Sequence, residues 1–443
     1  MTGAADTESL ADPGPEDCAT PGNLAAPAGT TGREIVPPLL RDTVFRRYWS
    51  ASTVSMVGDQ VTTVAVPLTA VLALHAGAAV MGLLTALEWL PSLLFGMHAG
   101  AFADRRGRRR QLMIACDLGR CVLLVSVPVC YACGVLTIWQ LLAVVFAAGT
   151  LSILFNVADS AVFVSIVKPG QYVDGQSLIY GSRAMSFLAG PSLGGLLTQL
   201  FTAPYAMVVD AVSFLGSAFF LRRIDPVEPP ADTSDGGVLA GLKFIARSPV
   251  VRASLIGVAV INFFNLMLAA LLMLYAVRAL HMNAGLIGVV LGLGATGGLL
   301  GAAVTKAVAA RIGVGLAYVA GCFAFTVPYA LVPLAPLPAG HGTTWAVIGM
   351  LFAAEFLAGF GVMMLDISVG SIFASVIPDT VRSRVNGAFS AINYGTRPLG
   401  ALLGGLLGTA VGLRPALWVA VIGSVAGAAL LVPSPLPRFR LPG

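Results

Sequence analysis

Long apolar runs separated by short polar, arginine-bearing breaks dominate the 443-residue chain. Runs such as Val122–Val129, with Ser126 its one polar residue, and the wholly apolar Leu266–Leu274 carry no charge. Continuous apolar runs suit helices, whereas strands of a membrane β-barrel alternate apolar and polar residues over about 10 positions. The pattern predicts membrane spans near 46–74, 79–102, 111–132, 138–160, 178–200, 204–222, 253–276, 284–305, 315–334, 344–367, 386–410 and 415–432. The fourth and tenth can run on beyond the membrane. The expected fold class is an all-α polytopic membrane protein, with twelve transmembrane helices in two pseudo-symmetric six-helix bundles.

Composition supports this reading. Apolar residues make up 57% and charged residues 11% of the chain, against about 25% charged in soluble domains. Mean hydropathy is +0.87. A soluble multidomain enzyme and a disordered chain are both excluded. Residues 1–42 are the exception: rich in Ala, Gly, Pro and Thr, they hold seven acids and two bases. They are expected to be a disordered tail, with no basic segment and apolar core of a signal peptide.

The loops fix an expected orientation. With the N-terminus inside, alternate loops collect nineteen Lys and Arg residues, and the others hold only Arg278 and Arg414. Positive charge is retained on the cytoplasmic side, so both termini are expected there, with 433–443 as a C-terminal tail. The longest internal polar stretch, 223–252, reads as a linker between bundles at 43–222 and 253–432. Its end, Val238–Arg247, has the spacing of a short amphipathic helix lying on the inner membrane surface. The basic run at 105–110 belongs to a loop of this kind and implies no nucleic acid.

The chain also repeats. Tyr180-Gly181-Ser182-Arg183 recurs 214 residues later as Tyr394-Gly395-Thr396-Arg397, with Gly190 and Gly194 matched by Gly404 and Gly408. Both copies open a glycine-rich fifth span of their half, as in transporters built from parallel repeats.

Two motifs add a family. After the second span the chain reads Gly100-Ala101-Phe102-Ala103-Asp104-Arg105-Arg106-Gly107-Arg108-Arg109, which fits GxxxDRxGRR and resembles the signature loop of the major facilitator superfamily. The resemblance implies that Gly100, Asp104, Arg105, Gly107, Arg108 and Arg109 latch the two halves on the cytoplasmic side. Gly190-Pro191-Ser192-Leu193-Gly194-Gly195 resembles the GPxxGG element of the superfamily's drug antiporters, with Ser186 where the longer form has glycine. The RxxQG stretch of many such antiporters is absent from the fourth span. Gly58-Asp59, Asp117-Leu118-Gly119-Arg120 and Pro378–Arg384 instead resemble a bacterial branch that includes enterobactin exporters and macrolide-efflux permeases. The likeness covers about 44–432 and implies the bacterial cytoplasmic membrane.

Charges inside spans cost about 2.5 to 3.5 kcal/mol or more, so their first reading is functional. At 1.5 Å per residue, Asp59, Glu88 and Glu355 fall about ten to fourteen residues into their spans, nearest the midplane, and are the candidates for proton coupling. Asp117 and Arg120 lie three apart and can pair on one helix face. Arg183 and Arg397 are gating candidates, pairing with acids of the other half such as Asp159 or Asp366. Asp210 is expected at the interface, near the start of its span. Asn156, Asn262, Asn265 and Tyr275 are substrate-cavity candidates, and Trp89, Phe263, Phe264 and Phe356 are aromatic surfaces for an amphipathic compound.

The expected activity is proton-driven export of a small amphipathic drug, antibiotic or siderophore by a monomer in the lipid bilayer, with protons as the second partner. A facilitated or proton-coupled importer of a small metabolite is the alternative, and a polytopic enzyme or lipid scaffold a distant one. No GxxxxGK[ST] loop, metal-ligand spacing or cofactor motif occurs; Cys130 and Cys133 form a lone CxxC on an apolar helix, read as packing.

Overall fold

The computed structural model describes residues 38–106, 108–225, 238–337 and 343–440, and of 38, 97–106, 169, 238–240, 379–380 and 383 only the backbone. The residues from Leu39 onward form one compact unit.

The structure is helical throughout the described residues. In order run α1 (Thr43–Leu68), α2 (Ala78–Arg106), α3 (Arg109–Ala132), α4 (Ile138–Ile166), α5 (Tyr172–Phe201), α6 (Ala203–Arg222), α7 (Val238–Arg247), α8 (Pro249–Arg278), α9 (Ala284–Gly294), α10 (Thr296–Ile312), α11 (Val314–Thr326), the single turn α12 (Leu331–Leu334), α13 (Trp345–Val376), α14 (Asp379–Ala410) and α15 (Leu413–Ala429). A π-helical turn, Thr69–Ala73, continues α1 past Pro67. Several starts are capped from the sequence: Asp42, Thr137, Ser248, Asn283 and Thr344 each accept a bond from a backbone N–H of the first turn, satisfying a donor that the helix leaves free.

Among the described residues, nine helical stretches are long and apolar enough to cross a membrane. The segments expected at 178–200, 386–410 and 415–432 are helical but fall short of that measure. α5 and α14 carry charges and many glycines, and α15 has only 17 residues. The span expected at 284–305 is interrupted at Ala295, which separates α9 from α10.

The distribution of the core positions the site. At the end carrying the 74–77 and 279–283 turns, buried apolar side chains form one continuous cluster drawn from both sequence halves, from Val64 and Met81 through Leu274 and Ile287 to Leu417. Toward the arginine-bearing turns the core divides. One cluster comes from residues 39–224, around Phe45, Tyr48, Phe155 and Leu221. The others come from residues 245–436, around Tyr318, Ile372 and Leu431 and around Ile245, Val385 and Ala388. The halves are thus joined at one end and separately packed at the other.

Glycine makes the joint possible. Where α5 meets α9, a Cβ on Gly195 would lie 2.7 Å from the Cα of Gly288. Where α2 meets α14, a Cβ on Gly82 would lie 2.7 Å from the Cα of Gly405. Small residues let membrane helices approach to backbone contact. Arg278 adds a polar tie by donating to the carbonyls of His75 and Ala76, both at 2.9 Å.

Helix α7 does not simply lie on a membrane surface. Ile245 is buried against Val251, Ile377 and Val385, and Gly241 abuts the Arg384–Val385 backbone at the start of α14. At the C-terminal end, Leu436 is buried and the carbonyl of Phe439 accepts from the Gly315 amide at 3.2 Å. The 1–37 part of the expected disordered tail and the 226–237 part of the linker lie outside the described residues.

Candidate functional site

Polar residues recur along α1 as Ser52, Ser55, Asp59 and Thr62, along α4 as Ser152, Asn156 and Asp159, and along α6 as Asp210, Ser213 and Ser217. Steps of three and four put each set on one helix face. These faces converge on a cavity of about 380 Å³. Its walls include Asp59, Thr62 and Thr63 of α1, Glu88, Trp89 and Ser92 of α2, Arg120 of α3, Ser152, Asn156 and Asp159 of α4, Arg183 of α5 and Asp210 of α6.

Arg120 organises one wall. Its Nη2 donates to Asp117, three residues earlier on α3, and its Nη1 lies 3.9 Å from Asp59 Oδ1 and 3.4 Å from the Ser152 hydroxyl. The guanidinium stacks at 4.6 Å from the centroid of the Phe155 ring and 4.1 Å from that of Phe214. Asp117 is wholly buried and the Arg120 side chain is 4% exposed, whereas the Asp59 side chain is 47% exposed into the cavity. Burying a charge is tolerable only when it is paired. Asp117 provides that pairing, and Asp59 is left as the member reachable from the cavity.

Asp210 corrects the expectation of an interfacial residue. It is 1% exposed. One carboxylate oxygen accepts from Thr62 and the other from Ser213, the latter at 3.0 Å. It shares the cavity wall with Asp59 and Arg120. Distance from the helix start does not fix burial; the i, i+3, i+7 run Asp210, Ser213, Ser217 is the sequence signal that this face meets the protein.

The structure does not unite all the candidates. Glu355 of α13 sits in a separate, small apolar recess with Met273, Ile287 and Leu351. Asn262 ties α8 to α14 by donating to Asn393 at 2.8 Å. Tyr275 is buried in the shared apolar core. Neither lines the main cavity, and nor does Asn265; of the four polar candidates only Asn156 does. Of the α8 residues, Asn262 is thus turned toward α14 of its own half and Tyr275 into the shared core. Phe264 likewise packs on Gly423, and Phe263 offers its backbone to Gly400.

The acids nearest Arg183 and Arg397 lie in the same half as each arginine, not in the other half as expected. Asp159 accepts from the Tyr48 hydroxyl at 2.8 Å and shares the cavity wall with Arg183. Asp366 similarly faces Arg397. Arg397 itself stacks on Trp89 of α2 and Tyr394 of α14.

The glycine-proline element has a clear place. Gly190 packs against Gln60 and Gly194 against Val61, the two residues that follow Asp59 on α1, while Gly195 meets α9 and the carbonyl of Pro191 faces Gly288. Of the signature loop, Gly100, Asp104 and Arg105 fall in the final turns of α2, where only the backbone is described, and Gly107 lies outside the described residues. Arg108 is exposed and Arg109 buried at the start of α3.

A family model for the Major Facilitator Superfamily matches residues 48–354. The chain belongs to the major facilitator superfamily. It is 27% identical over 386 residues to an uncharacterized MFS-type transporter, YfiS, of Bacillus subtilis (strain 168), covering 84% of this chain and 88% of that one. It is 24% identical over 356 residues to the multidrug efflux pump Tap of Mycolicibacterium fortuitum, covering 77% and 83%. Among solved structures it is similar to the nucleoside transporter NupG, with a TM-score of 0.71, 13% identity and coverage of 88% and 98%. A bacterial homologue of the iron transporter ferroportin in an inward-facing state matches with a TM-score of 0.68, 16% identity and coverage of 90% and 99%. This superfamily member is an integral membrane transporter in which the carboxylate-lined cavity described above is the candidate site.

Proposed function

We propose that the chain is a proton-coupled exporter of a small amphipathic compound, acting by alternating access between two six-helix bundles in a bacterial cytoplasmic membrane. The twelve spans would be α1 with its π turn, α2 to α6, α8, α9 with α10, α11 with α12, and α13 to α15. On this reading the arginine-bearing end, where the two cores separate, faces the cytoplasm, as the positive-inside bias requires. The protein works as a monomer with both termini on that side.

The observation that carries the proposal is the arrangement of Asp59 opposite Arg120. A carboxyl reachable from the cavity, held 3.9 Å from a guanidinium that is anchored elsewhere, has two stable conditions. Ionised, it pairs with Arg120. Protonated, it releases Arg120 wholly to Asp117, and the local charge changes by one without leaving a buried ion alone. Such a group exchanges a proton for a substrate in an alternating cavity. Gln60 and Val61, adjoining Asp59, pack against Gly190 and Gly194 of α5, so events at Asp59 reach the helix that joins the other half at Gly195. Export is favoured over import by the GPxxGG likeness and by the similarity to the efflux pump Tap over 77% of the chain.

The test uses inverted membrane vesicles that hold an acid interior by respiration. A panel of cationic dyes, macrolides and catecholate siderophores is added while a ΔpH-sensitive fluorophore is followed. Substrate-dependent loss of ΔpH, absent from vesicles without the protein, is expected. Uptake of a panel compound that proceeds unchanged after ΔpH is collapsed would favour uniport and overturn the coupling.

A further inference from the structure

The two copies of the repeated Tyr-Gly-Ser/Thr-Arg element are not used alike. In the first copy Tyr180 is 59% exposed and Arg183 opens onto the cavity. In the second, Arg397 folds onto aromatic rings. Its guanidinium carbon lies 4.1 Å from the centroid of Trp89 and 4.7 Å from that of Tyr394, and the two ring centroids are 5.9 Å apart at 31°. Arg397 Nε is buried without a hydrogen-bond partner among the described residues. The guanidinium therefore rests here on π faces at the expense of one N–H bond.

Trp89 and Tyr394 come from opposite halves, α2 and α14. Trp89 also forms part of the cavity wall, beside Glu88. Two rings splayed about a cation form a recognition element for organic cations, in which a delocalised or alkylated positive charge is attracted by ring quadrupoles. Asp366 of α13 is the acidic neighbour of Arg397 within its own half and offers it an alternative partner. Each helix carrying the rings has a proline close by. Pro91 lies two residues beyond Trp89, and Pro398 cannot bond the carbonyl of Tyr394 four residues earlier, which loosens both helices where the rings sit.

We propose that Trp89 and Tyr394 form a subsite for the positive charge of an amphipathic organic cation, that Arg397 competes for this subsite as an internal ligand, and that the incoming cation displaces it toward Asp366. The inference rests on the exporter reading for its physiological meaning, and it adds the charge class of the substrate. Glu88 draws the cation to the wall, the rings of α2 and α14 hold it, and the displaced Arg397 gives up its own contact with α2. Binding is thereby tied to the contact that joins the halves.

The test measures ethidium binding to the purified full-length protein by fluorescence anisotropy, with size-exclusion profiles confirming monodispersity. Arg397→Gln, which removes the competitor, tightens binding about tenfold, a change within the span of desolvated cation–π contacts. Arg397→Lys, which keeps a cation, stays within about threefold of wild type. The gain disappears in Arg397→Gln/Trp89→Leu. Should the Arg397 variants fail to fold, Trp89→Leu alone is expected to weaken ethidium binding at least threefold. Unchanged or weaker binding by a monodisperse Arg397→Gln, equal behaviour of the Gln and Lys variants, a gain that survives loss of Trp89, or no ethidium binding to any form would each overturn the subsite. Proton-driven uptake of ethidium into inverted vesicles is measured separately. Its absence with the binding pattern intact would refute the exporter reading and leave the subsite standing.

Discussion

Asp117 and Asp59 approach Arg120 from opposite environments: Asp117 is wholly buried and hydrogen-bonded to the guanidinium, and Asp59 stands 3.9 Å away on the cavity side. One aspartate anchors the arginine and the other stands open to the cavity. The two should therefore respond differently to substitution.

Replacing Asp117 with Leu leaves a buried guanidinium without its main partner. Loss of one member of a buried pair costs about 3 to 5 kcal/mol, so Asp117→Leu should sharply lower the melting temperature in detergent. Removing both charges, as Asp117→Leu/Arg120→Met, should recover most of that stability but no active transport. A double variant no more stable than the single one would contradict the anchoring role.

Asp210 accepts from Thr62 and Ser213 in a fully enclosed place. Asp210→Asn keeps an acceptor for one of these hydroxyls and should fold normally. Asp210→Leu strands both, at a cost of about 1 to 3 kcal/mol for each unsatisfied group. Thermal denaturation of the two variants separates these outcomes, and equal stability would argue against the observed bonding.

At the α5–α9 crossing, Gly195 leaves no room for a side chain: its Cβ would come 2.7 Å from the Cα of Gly288. Gly195→Leu should force the joined end apart, reduce transport at least tenfold and lengthen the α5–α9 distance in spin-label measurements. Wild-type transport with Leu at this position would show that the close approach is not required.

Helix α7 is fastened to α14 by Ile245, which is buried among Val251, Ile377 and Val385. Ile245→Asp should detach it, with a stability loss of about 2 to 5 kcal/mol. Hydrogen exchange gives a local readout: the α7 amides should be protected in the wild type and lose that protection in Ile245→Asp. Equal protection in both would show that Ile245 does not fasten the helix.

Much of this was legible in the chain. Unbroken apolar runs located the helices, because a membrane span must satisfy its backbone internally and so must be helical. The Asp117–Arg120 pairing follows from a three-residue step on one helix. The break at Ala295 was hidden, since Gly294, Ala295 and Thr296 are too apolar or too small to interrupt a hydropathy pattern. The burial of Asp210 is not legible from its distance to the helix start, because burial depends on which face meets α1. Glu355 was grouped with Asp59 and Glu88 by depth alone; depth says nothing about azimuth, and its face of α13 turns into an apolar recess. The stacking of Arg397 on Trp89 joins residues more than 300 positions apart, and only the crossing of α2 with α14 brings them together.

The most direct test of proton coupling at this site is Asp59→Asn in vesicles, followed in two assays on the same preparation. The amide is isosteric but carries no exchangeable charge. Gradient-driven accumulation of a transported compound should fall to the level of vesicles lacking the protein, while counterflow exchange of that compound down its own gradient should persist. Undiminished accumulation against the gradient in Asp59→Asn would contradict the assignment of Asp59 as the proton-coupling carboxylate.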